Sequence, residues 1–373
     1  LEHKEDLESG TRAAALGGVT AVFEMPNTKP ATLSGEDIEE KLRRAKGRAW
    51  CDHAFFVGAA EENAEELAEL ELLPGVCGVK VFMGSSTGSL LVESDSLLAR
   101  VLRSGRRRVA IHAEDEMRLR ERLPLAREGG VQQHPVWRDV ETARLATERV
   151  IRLAREARRR VHVLHVTTAD ELPLLADAHD LVSCEVTPQH LTLAAPDCYE
   201  RLGTLAQMNP PIREGRHREA LWRWLNAGLF DVVGSDHAPH TLQEKQGDYP
   251  ATPSGMPGVQ TLLPLLLDHM NAGRLTLQRL VDLTSAGAQR LFNIAGKGRI
   301  SPGYDADVTL VDLKATRTIG KDWLASKCGW SPFEGMSVTG WPMATIVRGR
   351  TVVRDGELLG EAAGRPVRFL ETL

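Results

Sequence analysis

Short apolar runs alternate with segments of helical periodicity along most of the chain. Seven runs rich in Val, Ile and Phe predict β-strands at 19–27, 51–59, 78–84, 108–115, 160–168, 181–188 and 230–240. Helical patterns lie between several of them, at 34–49, 62–73 and 139–159. The opening stretch LEHKEDLESGTRAAALGG also predicts a helix, one already in progress at Leu1.

Strands that alternate with helices indicate βαβ units and a parallel sheet. At least seven such strands favour an α/β fold of the (β/α)8 TIM type, since no glycine-rich dinucleotide turn follows the first strand. From residue 298 the pattern changes to short strands separated by Gly and Asp, as in 298–313 and 345–358. We therefore predict a barrel at 1–297, and at 298–373 the C-terminal part of a small β-sandwich subdomain formed by the chain ends.

Charge and composition narrow the class of protein further. The formal net charge of −5 argues against a general affinity for nucleic acid, and the basic clusters 103–108 and 155–160 read as solvated helix ends. The five cysteines are odd in number and lack a CxxC pair, which is typical of reduced core residues in a cytoplasmic protein. No run of about 18 apolar residues occurs, so no membrane span is expected.

Four predicted strands end in side chains of the kind that bind metals or substrates. Lys80 lies in GVKVFMG, and the other three end their strands: His112 in RVAIH, His165 in RVHVLH and Asp236 in VVGSD. One histidine at such a position is usually a satisfied core or loop residue, but barrel enzymes carry their catalytic groups at the carboxyl ends of strands. Imidazole and carboxylate ligands suit zinc, so the four together predict a metal centre.

Lys80 needs a separate argument, because an ammonium group does not bind a cation. A buried lysine loses its proton easily, and the neutral amine can react with carbon dioxide to form a carbamate. The two carbamate oxygens could bridge two metal ions, which together activate water for hydrolysis. The other interpretation of Lys80 is a snorkelling or salt-bridged lysine.

This set of residues resembles the amidohydrolase superfamily and, within it, the dihydroorotases. The resemblance covers most of the chain, and the matching stretches are EMPNTKP (24–30), GVKVFMGSSTGSLLV (78–92), IHAED (111–115), HVLHVTT (162–168), EVTPQHL (185–191), QMNPPIR (207–213), GSDHAPHTLQEK (234–245), PSGMPGVQT (253–261) and SPFEG (331–335).

The resemblance implies a metal centre with two zinc ions per subunit. In it, Lys80 is the carboxylated bridging lysine, and His112 and His165 bind the second metal. Asp236 binds the first metal and acts as general acid and base. The family also carries an HxH pair at the end of the first barrel strand, and this chain contains no such pair. We expect it, and the first strand, to lie upstream of Leu1 in a trimmed chain; the other explanation is an inactive relative.

The resemblance also implies the residues that bind the substrate. Asn27 would hold a substrate carboxylate together with His240, although Asn27 alone reads as a turn residue after Pro26. Asn209 and the loop from Gly255 to Gly258 would contact the pyrimidine ring. For His190 and His237 we favour packing roles behind the site.

The implied activity is that of a dihydroorotase, the reversible cyclisation of N-carbamoyl-L-aspartate to L-dihydroorotate in pyrimidine biosynthesis. Two alternatives stay open: another cyclic amidase, such as an allantoinase, dihydropyrimidinase or hydantoinase, and a non-catalytic subunit that scaffolds a transcarbamoylase. The substrate is a small molecule in either enzymatic case. The implied assembly is a homodimer or a complex with aspartate transcarbamoylase.

Overall fold

A computed structural model describes residues 1–86 and 90–372 of the chain, so Thr87, Gly88 and Ser89 of the stretch 78–92 lie outside it. Seven parallel strands form one sheet in which each strand pairs with the next along the chain. Their bounds are Ala21–Glu24 (β1), Asp52–Gly58 (β2), Val76–Phe82 (β3), Val109–His112 (β4), Val161–Val163 (β5), Val182–Val186 (β6) and Val232–Val233 (β7). Each overlaps one predicted strand, and the consecutive parallel order is that of a (β/α)8-type barrel represented by seven strands.

Helices follow most of the strands and cover the outer face of the sheet. Their bounds are Leu7–Leu16 (α1), Gly35–Ala45 (α2), Leu67–Leu70 (α3), Asp95–Arg103 (α4), Glu116–Arg127 (α5), His134–Trp137 (α6), Val140–Ala157 (α7), Leu172–Asp177 (α8), Pro188–Thr192 (α9), Asp197–Leu202 (α10), Gly215–Asn226 (α11), Leu242–Lys245 (α12), Leu262–Asn271 (α13), Leu277–Val281 (α14) and Gly287–Phe292 (α15).

Both faces of the central strands are buried, which explains their nearly continuous apolar sequences. In β2, Phe55 and Val57 pack in the large cluster formed by the strands and the surrounding helices. Phe56, between them, belongs to a separate cluster with Cys77 and Ala110. Successive side chains of a strand point to opposite faces, so one strand contributes to two cores.

A second sheet, antiparallel and four-stranded, follows the barrel. It contains Val308–Thr318 (β8), Ser337–Val347 (β9), Arg350–Arg354 (β10) and Glu357–Leu358 (β11), in the spatial order β11-β10-β9-β8. The two predicted strand regions are therefore confirmed in type, but the first strand begins only at residue 308. The division at 297/298 stays a prediction.

The first helix begins later than its sequence suggested. Residues 1–6 are not helical, and α1 starts after Asp6, whose carboxylate accepts a hydrogen bond from the Ser9 N–H at 2.9 Å. The Ser9 hydroxyl in turn accepts from the Asp6 N–H, which completes a capping box. The prediction of a helix in progress at Leu1 was wrong because this cap fixes a non-helical backbone before residue 7.

The predicted helix at 62–73 is reduced to one turn, α3. The Asn63 side chain accepts from the Ala60 N–H at 2.9 Å and donates to the carbonyls of Leu33 and Gly58 at 2.8 Å. These local bonds hold the backbone in turns and compete with a helix.

The two basic clusters are not simply solvated helix ends, as the sequence had suggested. Arg107 and Arg159 are buried around Glu71, whose carboxylate is fully enclosed. Arg159 donates to Glu71 at 2.6 Å, and the Arg107 backbone N–H donates to the same carboxylate at 2.9 Å. The Glu71 carboxylate thus pairs with the charge of Arg159 and also binds the backbone of Arg107, because a buried charge requires partners.

All five cysteines are buried and free, as the sequence predicts. Among the helices of residues 1–86 and 90–372, none combines the length and the apolar character needed to cross a membrane.

A lysine-centred ion cluster lies where the barrel meets the second sheet. The carboxylate oxygens of Asp52, Asp305 and Asp307 lie within 4.8 Å of one another. Lys297 Nζ lies 2.7 Å from Asp52 and 3.2 Å from Asp305, and it also contacts Asp307. Arg348 contacts Asp52 as well. The cluster carries its own cations, so it is a structural junction between β2 and the segment that leads to β8.

We predict that Lys297→Met lowers the free energy of unfolding by about 3 kcal/mol, because three neighbouring carboxylates lose their shared cation. Urea denaturation measures the change. Lys314→Met, at an exposed position of β8, is the matched control and should change stability by no more than about 0.5 kcal/mol. Equal stabilities for the two variants would contradict the structural role of the cluster.

Candidate active site

The register of the parallel strands brings the four candidate metal-binding residues to one end of the barrel. Phe82 of β3 pairs with His112 of β4, so Lys80 lies two residues before the level of His112. His165 follows the end of β5 and Asp236 follows the end of β7. Carboxyl ends of parallel strands meet on one side of the sheet, and these side chains share that side.

His112 and His165 form the closest pair in this group. His112 Nδ1 lies 3.1 Å from His165 Nε2, and the two rings meet edge to face. Two nitrogens bound to one tetrahedral zinc ion would lie about 3.3 Å apart, given Zn–N distances near 2.0–2.1 Å. The two nitrogens are therefore already spaced as ligands of one ion.

Burial keeps both imidazoles in the neutral form that binds metals. It lowers the pKa of His112 and holds the pKa of His165 well below its usual range, with the neighbouring His112 and Lys80 adding to the effect on His165. His165 Nδ1 is buried and has no hydrogen-bond partner among residues 1–86 and 90–372.

Lys80 is almost fully buried beside these imidazoles. Its Nζ donates to the Val81 carbonyl at 3.2 Å and lies 4.0 Å from the centre of the Phe82 ring. Burial lowers the pKa of Lys80 to about 7, against the opposing charges of Asp236 and Glu185. A substantial fraction of the amine is thus neutral near pH 7, which is the form that can take up carbon dioxide.

Asp236 faces Lys80 from the end of β7. Burial and the neighbouring Glu185 raise the pKa of Asp236, against the opposing charge of Lys80, to about 7. Asp236 and His165 both have positive φ angles, of 40° and 37°. Such backbone is costly for residues other than glycine and is concentrated at functional sites.

His112 and His165 fit a metal centre of the kind that the sequence predicts, because they offer two neutral imidazoles at the spacing of ligands. Lys80, which can become a carbamate, and the carboxyl group of Asp236 lie near each other beside them, but among the described residues the ligand atoms of the two histidines and Asp236 do not all come within 4.8 Å of one another. The HxH pair implied by the resemblance does not occur in residues 1–373.

The predicted substrate-binding residues lie in loops around the same end of the barrel. Asn209 is buried, with Oδ1 at 3.0 Å from His134 Nε2 and Nδ2 at 3.3 Å from Ser86 Oγ. Asn27 is half-buried, three residues after β1. Asn27 therefore lies in the loop that continues from β1, and Asn209 contacts the loop that follows β3.

His240 and Gly255 lie in adjoining loops. His240 Nε2 donates to the Ser254 carbonyl at 3.2 Å, and Nδ1 lies 3.0 Å from Lys4 Nζ. Gly255 has a φ of +138°, and a Cβ there would approach the Ala238 carbonyl oxygen to 2.5 Å. The loop therefore requires glycine at this position.

His190 and His237 bind atoms of neighbouring loops, and their packing role behind the site stays a prediction. His190 contacts Thr187 Oγ1 at 2.8 Å and the Pro210 carbonyl at 3.0 Å. His237 Nδ1 accepts from the Gly258 N–H at 3.1 Å, which fixes the loop that contains Gly255.

Sequence reasoning missed several residues that hold this site in shape. Glu114 Oε2 accepts from His112 Nε2 at 2.9 Å, and Arg138 contacts the same oxygen. Burial alone would raise the pKa of Glu114, but Arg138 and His112 lower it to about 2. The sequence could have indicated Glu114, because it stands two residues after His112, whereas nothing in the sequence pointed to Arg138.

Lys245 is the other residue that the sequence did not single out. Its buried Nζ donates to three carbonyl oxygens, those of Gln207 at 3.0 Å, Pro253 at 2.9 Å and Gly255 at 3.0 Å. It thereby joins the segment before Asn209 to the loop of Gly255. The sequence LQEK reads as an exposed helical turn, so its burial could not be inferred.

Comparison with known proteins identifies the same family throughout the chain. The amidohydrolase family model matches residues 2–352. The dihydroorotase of Halobacterium salinarum is 38% identical over 371 residues, which cover 99% of this chain and 86% of that protein. The dihydroorotase of Pyrococcus furiosus is 37% identical, over 98% of this chain and 80% of that protein.

The solved structures of a hydantoinase and of a dihydropyrimidinase have the same fold as this chain. The L-hydantoinase (dihydropyrimidinase) of Arthrobacter aurescens superposes with a TM-score of 0.92 at 31% identity, over 97% of this chain and 83% of that chain. The dihydropyrimidinase of Brevibacillus agri gives a TM-score of 0.89 at 30% identity, over 97% of this chain and 83% of that chain.

We predict that Lys245→Met lowers the free energy of unfolding by about 3 kcal/mol, because buried carbonyl oxygens lose their donor. Guanidinium denaturation gives the magnitude, and faster hydrogen exchange of residues 253–259 locates the effect. Lys321→Met, at an exposed position, is the control. Unchanged exchange in this loop would show that Lys245 does not fasten it.

Proposed function

The chain belongs to the amidohydrolase family, and we propose on that premise that it is a dihydroorotase. It would catalyse the reversible cyclisation of N-carbamoyl-L-aspartate to L-dihydroorotate, a step of pyrimidine biosynthesis. The observation that carries this proposal is the similarity to dihydroorotases at 38% and 37% identity over nearly the whole chain. The chain is a hydrolase that acts on cyclic amides.

We propose that Lys80, as a carbamate, holds two zinc ions together with His112, His165 and Asp236. The spacing of the two imidazole nitrogens, at 3.1 Å, supports the assignment of both histidines to one ion. When bound, such ions lower the pKa of water and polarise a carbonyl group.

Asp236 would carry the proton during ring opening. Its carboxylate accepts a proton from the attacking water, whose oxygen forms a bond to the ring carbonyl carbon. The same proton then passes to the ring nitrogen as the C–N bond breaks, which leaves a ureido group and a carboxylic acid, and this acid releases the second proton of the water to solvent as it becomes a carboxylate. Ring closure follows these steps in reverse.

The substrate carboxylate would be held by Asn27 and by the Lys4 ammonium group that His240 positions. The Ser254 carbonyl can only accept, so His240 Nε2 carries the proton, and Nδ1 accepts from Lys4. Burial and the neighbouring Lys4 and Lys245 lower the pKa of His240 to about 4, against the opposing charge of Glu244, whose Oε2 lies 4.0 Å from Nδ1. The cationic charge beside the neutral His240 ring therefore comes from lysine and suits an anionic substrate.

A second candidate function is that of a hydantoinase or dihydropyrimidinase, which the TM-score of 0.92 with an L-hydantoinase favours. The two candidates share the metal centre and differ in the substrate, since hydantoin and dihydrouracil lack the carboxylate of dihydroorotate. The lysine charge beside His240 favours the dihydroorotase. A non-catalytic scaffold is disfavoured by the retention of all four candidate ligands.

The assembly and the compartment are proposed from the family resemblance. We expect a homodimer or a complex with aspartate transcarbamoylase. A cytoplasmic location is consistent with the five free, buried cysteines. Sedimentation of the protein alone and with the transcarbamoylase distinguishes the two assemblies.

The proposed activity is tested with a substrate panel. We expect turnover of L-dihydroorotate and of N-carbamoyl-L-aspartate, and little turnover of dihydrouracil, hydantoin or allantoin. Removal of metal with a chelator should abolish the activity, and added zinc should restore it. Turnover of a neutral cyclic amide in place of dihydroorotate would support the second candidate, and no turnover with any substrate would support the scaffold.

Asp236→Asn tests the assigned proton carrier in the same assay. We expect kcat to fall at least about a hundredfold, because the amide cannot accept the proton, while the thermal unfolding temperature stays close to that of the parent. Asp180→Asn, at an exposed position before β6, is the control and should retain full activity. An active Asp236→Asn enzyme would refute the role.

A further inference from the structure

One short segment contacts both halves of the site, the half that would bind metal and the half that would bind substrate. It consists of α6 and the following residue, 134–138, and we call it the support segment. Its polar side chains His134 and Arg138 are almost completely buried. Each of them contacts a different part of the site.

Arg138 acts on the metal-binding side. It contacts Glu114 Oε2 through Nη1, and through Nη2 it donates to the Ser85 carbonyl, close to the end of β3. An ionised carboxylate only accepts, so His112 Nε2 must carry the ring proton. His112 Nδ1 then carries a free lone pair, which faces His165 Nε2. Through Glu114, Arg138 thus fixes both the orientation and the tautomer that a metal ligand needs.

His134 acts on the substrate side. Its Nε2 lies 3.0 Å from both the Met208 carbonyl and Asn209 Oδ1, and both are acceptors. Nε2 must therefore carry the proton, and Nδ1 accepts from the Tyr249 hydroxyl at 3.3 Å. This arrangement turns the amide NH2 of Asn209 away from His134 and towards Ser86.

We propose that His134 and Arg138 are positioning residues that link the two halves of the site through one segment. Arg138 sets the metal affinity through Glu114 and His112, and His134 sets substrate binding through Asn209. The substrate half of this inference rests on the proposed function, whereas the metal half does not. Neither residue touches the reacting atoms.

The metal half is tested by binding measurements on the metal-free protein, without substrate. We expect Arg138→Met to bind zinc and cobalt about 10- to 100-fold more weakly than the parent, as loss of a group behind a metal-binding histidine usually does. Arg138→Lys should recover part of the affinity, since it restores the charge. Cobalt absorption reports the ligand geometry independently of activity.

Arg138→Met leaves Glu114 without its cation and could unfold the protein. The double variant Glu114→Leu with Arg138→Leu removes both charges and avoids an unpaired buried ion. It should fold and still bind metal about 10- to 100-fold more weakly, because His112 has lost its acceptor. Metal affinity within twofold of the parent in either folded variant would overturn the metal half.

The substrate half is tested by steady-state kinetics. We expect His134→Leu to raise KM for dihydroorotate about tenfold with little change in metal affinity, because Asn209 loses its partner while none of the contacts of His134 reaches the metal-binding side. His134→Gln retains a donor at the same position and should recover part of the loss. Equal KM values for the leucine variant and the parent would overturn this half.

Trp137→Phe is the matched control from the same segment. The Trp137 Nε1 donates to the Leu119 carbonyl in α5 at 2.8 Å, and phenylalanine loses this bond while it keeps an aromatic ring against His134 and Arg138. We expect lower thermal stability with unchanged metal affinity and KM. Altered metal affinity in this control would mean that general loosening, not positioning, explains the effects. A parent that binds metal but does not turn over dihydroorotate would refute the proposed function alone.

Discussion

The parallel register of the barrel strands is the constraint on which the rest of the site depends. Because β3 and β4 pair with Phe82 opposite His112, the side chains at their carboxyl ends reach the same depth. The neighbouring β5 delivers His165 to within 3.1 Å of His112. A shift of one residue in any of these strands would turn the ligand towards the helices.

Burial then decides the protonation states that the chemistry requires. The same loss of solvent lowers the pKa of the imidazoles and of Lys80 and raises that of Asp236. These shifts favour the uncharged form of each group, and bound metal ions would supply the compensating charge. Strained backbone at His165 and Asp236 is tolerated because the paired strands before them hold the chain in place.

Ion pairs away from the reacting atoms keep this arrangement rigid. Glu71, Glu114 and Lys297 each join segments that are distant in sequence. Lys245 does the same with carbonyl acceptors. Glu114 and Lys245 brace the carboxyl ends of the strands and the loops that would hold the substrate, whereas Glu71 and Lys297 brace the opposite end, where the strands begin.

The sequence by itself determined the features that depend on local pattern. Seven apolar runs predicted seven strands, and the polar residues that end them, such as His112 and Asp236, predicted the position of the site, because strand alternation and strand ends are local properties. Only the tertiary structure decided what lies behind them. Arg138 stands 24 residues after Glu114 in the sequence, yet the two are in contact. Lys245 and Arg159 looked like surface cations. Their burial depends on which distant carbonyls and carboxylates surround them, and no local pattern encodes that.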